Sequence, residues 1–257
     1  MIGRSEEYEK MFRLEEQLWW YRILHESVLK AIQKRFGNRR DIRIFDAGCG
    51  TGGLLHFLKR HGYAQIQGVD GSADGVAFCR ERTLHVDLLD LTRLEAYQPD
   101  TTIGQFDVVV CDDVFCYFDD QQLTKLILEL GKRLKPDGLL ISNNNAFNVF
   151  WGSHDLAVGS KRRFVRQDFA RLLPGTAMQI QFSTYWSLFL SPLILAVRQL
   201  QALKLRLGAR PEEQGSDVYM PGEWINKVLY GLVRFERTVL PRTPFGSSLF
   251  LVLTKTN

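Results

Sequence analysis

The chain is poor in cysteine. Cys49, Cys79, Cys111 and Cys116 are its only four, and no two of them form a C-x-x-C pair. A zinc knuckle and a disulfide framework are therefore not indicated, no metal site is expected, and a reduced cytosol suits the thiols. The first ten residues, Met1 to Lys10, are charged and lack the apolar stretch of a signal peptide. The longest nearly unbroken apolar run, Trp186 to Val197, is about half of the roughly 20 residues a spanning helix needs. No transmembrane segment is expected, and the location that follows is cytoplasmic. Internal repeats and low-complexity tracts are also lacking.

What remains reads as an ordinary globular protein. The 257 residues, 45% hydrophobic and 24% charged, are enough for one large α/β domain with an elaboration or for two small ones. A formal charge of +4 hides an asymmetry. Residues 1–150 hold 19 Lys/Arg against 22 Asp/Glu, and residues 151–257 hold 14 against 7. The basic second part favours an anionic substrate or an acidic surface, or is simply a solvated face.

The chemistry centres on residues 44–55, Ile-Phe-Asp-Ala-Gly-Cys-Gly-Thr-Gly-Gly-Leu-Leu. An apolar lead-in, Ile42 to Phe45, predicts a buried parallel strand, and Leu54, Leu55, Phe57 and Leu58 the core face of the following helix, Gly52 to Arg60. Between them Gly48, Gly50 and Gly52 allow positive φ and close approach to a ligand. The helix start offers N–H groups to an anionic group. Gly48, Gly50 and Gly53 also satisfy G-x-G-x-x-G, so a dinucleotide cofactor stays open on spacing alone. Asp46 argues otherwise: at the end of the strand it would repel a pyrophosphate, whereas the cationic S-adenosylmethionine (SAM) tolerates a carboxylate. A second strand, Ile66 to Asp70, brings Asp70 22 residues beyond Gly48, the spacing at which an acid reaches ribose hydroxyls.

Further elements follow in order. Ser72 caps a helix through Arg82; His85-Val86 starts a short strand ending at Asp87-Leu88; Phe106 to Cys111 is the fourth strand. Asp119 and Asp120 cap a helix to Leu134, and the Pro136-Asp137-Gly138 turn feeds a fifth strand, Leu139 to Ser142. A helix Arg166 to Leu173 and a strand Met178 to Ser183 come next, and Ser248 to Thr254 is the last strand. Upstream, an aromatic helix from Glu15 to Phe36 carries a packing stripe of Leu18, Tyr21, Leu24, Val28 and Ile32.

The string Asp46-Ala47-Gly48-Cys49-Gly50-Thr51-Gly52 resembles the first motif of class I SAM-dependent methyltransferases, of the small-molecule, ubiquinone/menaquinone-methylase-like type. The run from the fourth strand through Leu134-Lys135-Pro136-Asp137-Gly138 also resembles that family. The resemblance implies an α/β, Rossmann-like, doubly wound seven-stranded sheet whose last strand is antiparallel, with a helical insertion before that strand. It implies residues 1–40 as an aromatic helical segment over the cofactor, 41–184 plus 247–257 as the SAM-binding domain, and 185–246 as the insertion, a substrate lid or an interface. Tyr21 and Arg22 resemble an aromatic-Tyr-Arg segment that lies over the cofactor in such enzymes, although Trp19 and Trp20 serve equally to cover the sheet. The implied cofactor set is Tyr21, Arg22, Asp46, Gly48, Cys49, Gly50, Gly52, Asp70, Gly71, Asp87, Leu88, Cys111 and Asp112, with Asp87 and Leu88 at the adenine.

The expected reaction is methyl transfer from SAM to a small-molecule or lipid-linked acceptor. An NAD-dependent oxidoreductase and a non-catalytic SAM-binding module are the alternatives. Cys111-Asp112-Asp113-Val114 lacks the proline pair of base-modifying amino methyltransferases, so no nucleic acid is expected. Tyr117 stands where many relatives of this type carry a histidine; it and His154, after the fifth strand, are the candidate catalytic residues, and His154 could equally be an idle surface side chain. In the insertion, Leu193, Ala196, Leu200, Leu203 and Leu207 form one stripe, with Arg198, Lys204 and Arg206 off it and Gly208 as the stop. Ile225, Val228, Leu229, Leu232 and Val239 form another, in a helix from Pro221 to Pro241, after an exposed linker from Arg210 to Val218. Apolar plus basic character there suits an anionic amphiphile or reversible contact with an anionic membrane, and a homodimer interface is the other reading.

Overall fold

A computed structural model describes residues 5–97, 106–206 and 219–256, with backbone alone over 202–206. Two N-terminal helices, α1 (Ser5–Leu14) and α2 (Trp19–Phe36), precede the sheet. Then β1 (Ile44–Ala47), α3 (Gly53–Arg60), β2 (Ile66–Asp70), α4 (Ala73–Glu81) and β3 (Val86–Leu88) wind one half, and β4 (Phe106–Val110), α5 (Asp120–Arg133) and β5 (Leu134–Asn145) begin the other. A short α6 (Ser153–Ala157), α7 (Arg166–Leu172), β6 (Met178–Trp186), α8 (Ser191–Arg206), α9 (Glu223–Val239) and β7 (Ser248–Lys255) complete it. The seven strands lie in the order β3-β2-β1-β4-β5-β7-β6, with β7 antiparallel to both its neighbours. This is the doubly wound, seven-stranded arrangement with an antiparallel last strand that the resemblance implies.

Strand alternation sorts the core into two layers. Phe45, Val109, Leu140 and Leu251 point to one face, where they meet α5 residues Leu126 and Ile127. Their neighbours Ile44, Val108, Ile141 and Val252 point to the other, where Val28 and Ile32 of α2 and Val233 of α9 cover them. Near-continuous apolar strands are what a sheet covered on both sides requires. At α5, Asp119 and Gln122 form a reciprocal capping box, as the acids there predict.

Several boundaries differ from expectation. The aromatic helix starts at Trp19 rather than Glu15, because the chain turns between Leu14 and Trp19 and α1 is a separate helix. Leu18 has no side chain able to cap α2; Asn226 of α9 instead accepts from the Trp19 N–H at 2.8 Å and donates to the Gln17 carbonyl at 2.9 Å. The Pro136-Asp137-Gly138 stretch is a register shift inside one long β5, opposite Phe106 to Val108. Tyr185 and Trp186 pair with Leu249 and Ser248 as the end of β6, so the expected boundary after 184 cuts a strand.

The insertion helices bury only part of their predicted stripes: on α9, Leu229 and Leu232 pack against the core beside Val233. On α9 the buried residues are Asn226, Val233 and Glu236, while Ile225, Val228 and Val239 face outward beside Trp224, which is 75% exposed. Apolar periodicity misled here because the buried line contains polar side chains with partners: Asn226 caps α2, and Glu236 accepts from the Phe189 N–H at 2.6 Å. On α8 the predicted stripe residues Leu193, Ala196 and Leu200 are exposed. The side chains of Leu203, Lys204 and Arg206, and residues Leu207, Gly208 and 210–218, lie outside what the structure describes. Among the described residues no helix is long and apolar enough to cross a membrane.

The segment between β5 and β6 is fastened by a buried ion pair. Arg163 meets both oxygens of Asp155 at 2.9 Å and also donates to the Ala146 carbonyl at 3.1 Å. Removing one partner strands a buried charge, so Asp155→Ala should cost about 3–5 kcal/mol. Urea unfolding should register that loss, and Asp155→Ala with Arg163→Met should recover much of it. An unchanged midpoint in the single variant would show that the pair fastens nothing.

Candidate active site

At the carboxyl ends of β1, β2 and β4, where the winding direction of the sheet reverses, the chain forms one cavity of about 720 Å³. Such crevices are where open α/β sheets bind ligands. Its floor is the glycine turn. Gly48 and Gly50 have φ of +87° and +56°, and a Cβ on Gly50 would sit 2.8 Å from the Met11 sulfur. Asp70, at the end of β2, accepts from the Gly50 N–H at 2.8 Å, the Ser72 N–H at 2.9 Å and the Tyr8 hydroxyl at 3.3 Å. One carboxylate thus holds the turn, the start of α4 and the roof helix α1.

Glu15 occupies the position that decides the cofactor. Its carboxylate accepts from the Thr51 hydroxyl, from Arg82 and, at 3.0 Å, from the Gly53 N–H at the start of α3. The helix start expected to receive an anionic ligand group is already filled by the protein's own carboxyl, which burial pushes up to about 7 against the pull of Arg82. A pyrophosphate would have to displace a buried carboxylate and then face Asp46 and Asp70, so the dinucleotide alternative does not fit. A cofactor without phosphate and with positive charge does.

The walls are acidic. Burial, reinforced by Asp70 and Glu15, pushes the Asp46 carboxyl up to about 8. Asp113, at a left-handed φ of 55°, is pushed up to about 7 by burial, opposed by the Asn143 amide that donates to it at 3.1 Å. Burial and then Asp113 hold the Asp112 carboxyl well above its usual range. One Asp112 oxygen accepts from the Asn143 N–H at 2.6 Å; the other is buried and takes no hydrogen bond from any described residue. Acceptors crowded and desolvated in this way are what a cationic ligand relieves.

Of the expected site residues, Tyr21, Asp46, Gly48, Cys49, Gly50, Asp70, Gly71, Asp112, Tyr117 and His154 all line this cavity. Arg22, Gly52, Asp87, Leu88 and Cys111 do not. Arg22 stacks its guanidinium 3.8 Å over the Tyr230 ring of α9. Gly52 lies beneath the turn, against Leu84 and Cys79. Asp87 accepts from the Tyr97 hydroxyl at 2.6 Å, Leu88 is 59% exposed, and Cys111 is sealed in the core. Asp90, Leu91 and Thr92 reach the cavity in place of Asp87 and Leu88. Sequence reasoning missed Tyr8, Met11, Glu15 and His25. Tyr8 and Met11, three residues apart, were a helical signal; His25 lies one turn after Tyr21, and burial lowers it to about 3, so it lines the wall as a neutral ring.

Comparison with known proteins agrees with this geometry. Residues 45–140 match the model of a methyltransferase domain. A ubiquinone biosynthesis O-methyltransferase of Rickettsia bellii is 28% identical over 150 residues, 52% of this chain and 60% of that one. A cyclopropane-fatty-acyl-phospholipid synthase of Escherichia coli is 27% identical over 116 residues, 45% of this chain and 29% of that one. The chain thus spans well under two thirds of the length of these curated relatives. A SAM-dependent methyltransferase of Clostridium acetobutylicum shares the fold, with a TM-score of 0.54 at 11% identity over 91% of each chain. Residues 45–140 thus form a methyltransferase domain of the class I, SAM-dependent kind, and its cofactor is S-adenosylmethionine.

The titrations fix a sign for cofactor binding. A cation prefers the ionised carboxylates, and Asp46 and Asp113 ionise only as pH rises through about 8 and about 7. Binding therefore releases protons, and SAM affinity should rise between pH 6 and 9, by up to about tenfold per unit for each proton released. Calorimetry in buffers of different ionisation enthalpy measures both quantities; a flat profile would refute the coupling. Asp70→Ala should weaken SAM at least about tenfold through lost hydrogen bonds, and Gly50→Val should abolish binding by driving a side chain into Met11.

Proposed function

We propose that the protein is an enzyme that transfers the methyl group of SAM to a small-molecule or lipid-linked acceptor bound beneath α8. The observation that carries the reading is the continuity of the cavity: it runs from the glycine turn to Leu193, Ile194, Val197 and Arg198 of α8 and to Tyr219 and Pro221 before α9. The names of the two curated relatives, a ubiquinone biosynthesis O-methyltransferase and a cyclopropane-fatty-acyl-phospholipid synthase, support an acceptor with apolar character.

The bound cofactor supplies an electrophilic methyl on a sulfonium. The chain's own residues do the rest. Asp70 takes the ribose hydroxyls, and Asp46 and Asp112 offset the cofactor's positive charge. Tyr21 packs from α2, with the N-terminal segment acting as the roof and α8 as the acceptor wall. In-line displacement needs mainly that the two reactants be held together in a dry site. Trp19, Trp20 and Leu190 exclude water from the acceptor side. Burial raises the Tyr117 hydroxyl, so it stays protonated and serves as a hydrogen-bond donor rather than a base. In this reading His154, which lines the cavity, takes a proton from an acidic acceptor. A bilayer or a second copy of the chain would meet the protein at the outward face of α9, around Trp224 and Phe235.

Incubation with methyl-labelled SAM and a lipid and small-metabolite extract should give S-adenosylhomocysteine together with a labelled product. SAM binding without turnover on any pool would support the non-catalytic alternative. His154→Ala with Tyr117→Phe should lower turnover at least about tenfold while leaving the SAM dissociation constant near that of the parent. Parental rates across pH in the double variant would remove both residues from the mechanism.

A further inference from the structure

Asp70 faces more hydrogen-bond donors than its carboxylate has places for. A carboxylate offers about four lone-pair directions, two on each oxygen. Oδ2 accepts from the Gly50 N–H at 2.8 Å. Oδ1 accepts twice, from the Ser72 N–H at 2.9 Å and from the Tyr8 hydroxyl at 3.3 Å. The two ribose hydroxyls of the cofactor require one place on each oxygen, and only Oδ2 has a place left. One of the two donors on Oδ1 must therefore give way.

These two donors are held very differently. The Ser72 N–H belongs to the backbone entering α4, and it cannot turn away without undoing the cap that the Ser72 side chain makes with the Gly75 N–H. Tyr8 reaches in from α1, 62 residues earlier in the chain, by the longest of the three bonds. Its ring has a prepared seat: a Cβ on Gly75 would come within 3.0 Å of the ring edge. The hydroxyl also interacts with the Ser72 side chain, so leaving Asp70 does not strand it without a partner. Burial and then the Asp70 charge push it above the usual phenol range, which keeps it a donor. The same line of α1 continues with Met11 against Gly50 and with Glu15 on Thr51 and Gly53. Tyr8 is the member of that line that bonds the ribose carboxylate.

We infer that Tyr8 sets the affinity for the cofactor by competition, its hydroxyl leaving Asp70 as the ribose binds and returning as the cofactor departs. This rests on SAM as the cofactor and on Asp70 as its ribose ligand, and it goes further by giving α1 a part in cofactor exchange. The ribose is common to SAM and S-adenosylhomocysteine, so the competition weakens both. It thereby hastens release of the spent cofactor, a step that limits turnover in many enzymes.

Binding of S-adenosylhomocysteine to the full chain, followed at equilibrium and by stopped flow through tryptophan fluorescence, tests the inference. Tyr8→Phe keeps the ring and removes the hydroxyl. This variant should bind S-adenosylhomocysteine about three- to tenfold tighter than the parent, with the gain mainly in slower dissociation. The 2′,3′-dideoxy form of the same nucleoside has no hydroxyls to exchange with Tyr8, so its affinity should be the same in parent and variant. Weaker or unchanged binding of S-adenosylhomocysteine by Tyr8→Phe would overturn the inference, the weaker result making the tyrosine a cofactor ligand. An equal gain for both nucleosides would overturn it too, since the hydroxyl would then act on α1 as a whole and not on the ribose. Failure of the parent to bind S-adenosylhomocysteine at all would bring down the cofactor assignment together with the inference.

Discussion

Glu15 is the residue on which the site depends. Its carboxylate joins Thr51 of the glycine turn, Gly53 at the head of α3 and Arg82 at the end of α4, and Arg82 in turn reaches the Phe12 carbonyl at 3.2 Å. Three pieces of chain that are distant in sequence, residues 12–15, 51–53 and 82, meet at one buried carboxyl. A carboxylate at a helix start is favoured by the unpaired N–H groups and the local field, and the arginine compensates its charge. The consequence is chemical as well as structural. By filling the anion site that the fold would otherwise present, Glu15 commits the pocket to a cofactor without phosphate.

The same logic governs the rest of the cavity. Buried carboxyls sit above their usual range, at about 8 for Asp46 and about 7 for Asp113. An apolar or anionic cofactor would leave that cost in place. A cation removes it, and the removal is a source of binding energy.

Much of this was legible in the sequence, for identifiable reasons. The individual strands followed from continuous apolar runs and a glycine turn, features that need no tertiary context, while the seven-stranded sheet and its antiparallel last strand were implied by the resemblance to class I methyltransferases. Asp46, Gly50 and Asp70 were found because backbone geometry fixes their spacing. What escaped notice depended on long-range partners. Asn226 caps a helix some two hundred residues earlier, which no local pattern encodes, and its burial leaves part of the apolar stripe of α9 facing outward. Arg22 looked like part of a cofactor motif, yet the Tyr230 ring that captures it belongs to the same insertion helix. Asp87 and Leu88 were misplaced because β3 is three residues long and the chain beyond it, at Asp90 to Thr92, does the lining.

The placing of β7 between β5 and β6 bears on how the polypeptide reaches this state. Both neighbours of that strand are made before it, and α8 and α9 are synthesised in between. Until β7 arrives, β5 has an open edge and β6 has no partner in the sheet, so the second half of the sheet cannot close progressively as the first half can. Pairings of such long sequence separation are slow to form, and an unpaired edge is the part of a nascent chain most prone to associate with another. The helical excursion between β6 and β7 therefore also lengthens the interval in which that edge stays open.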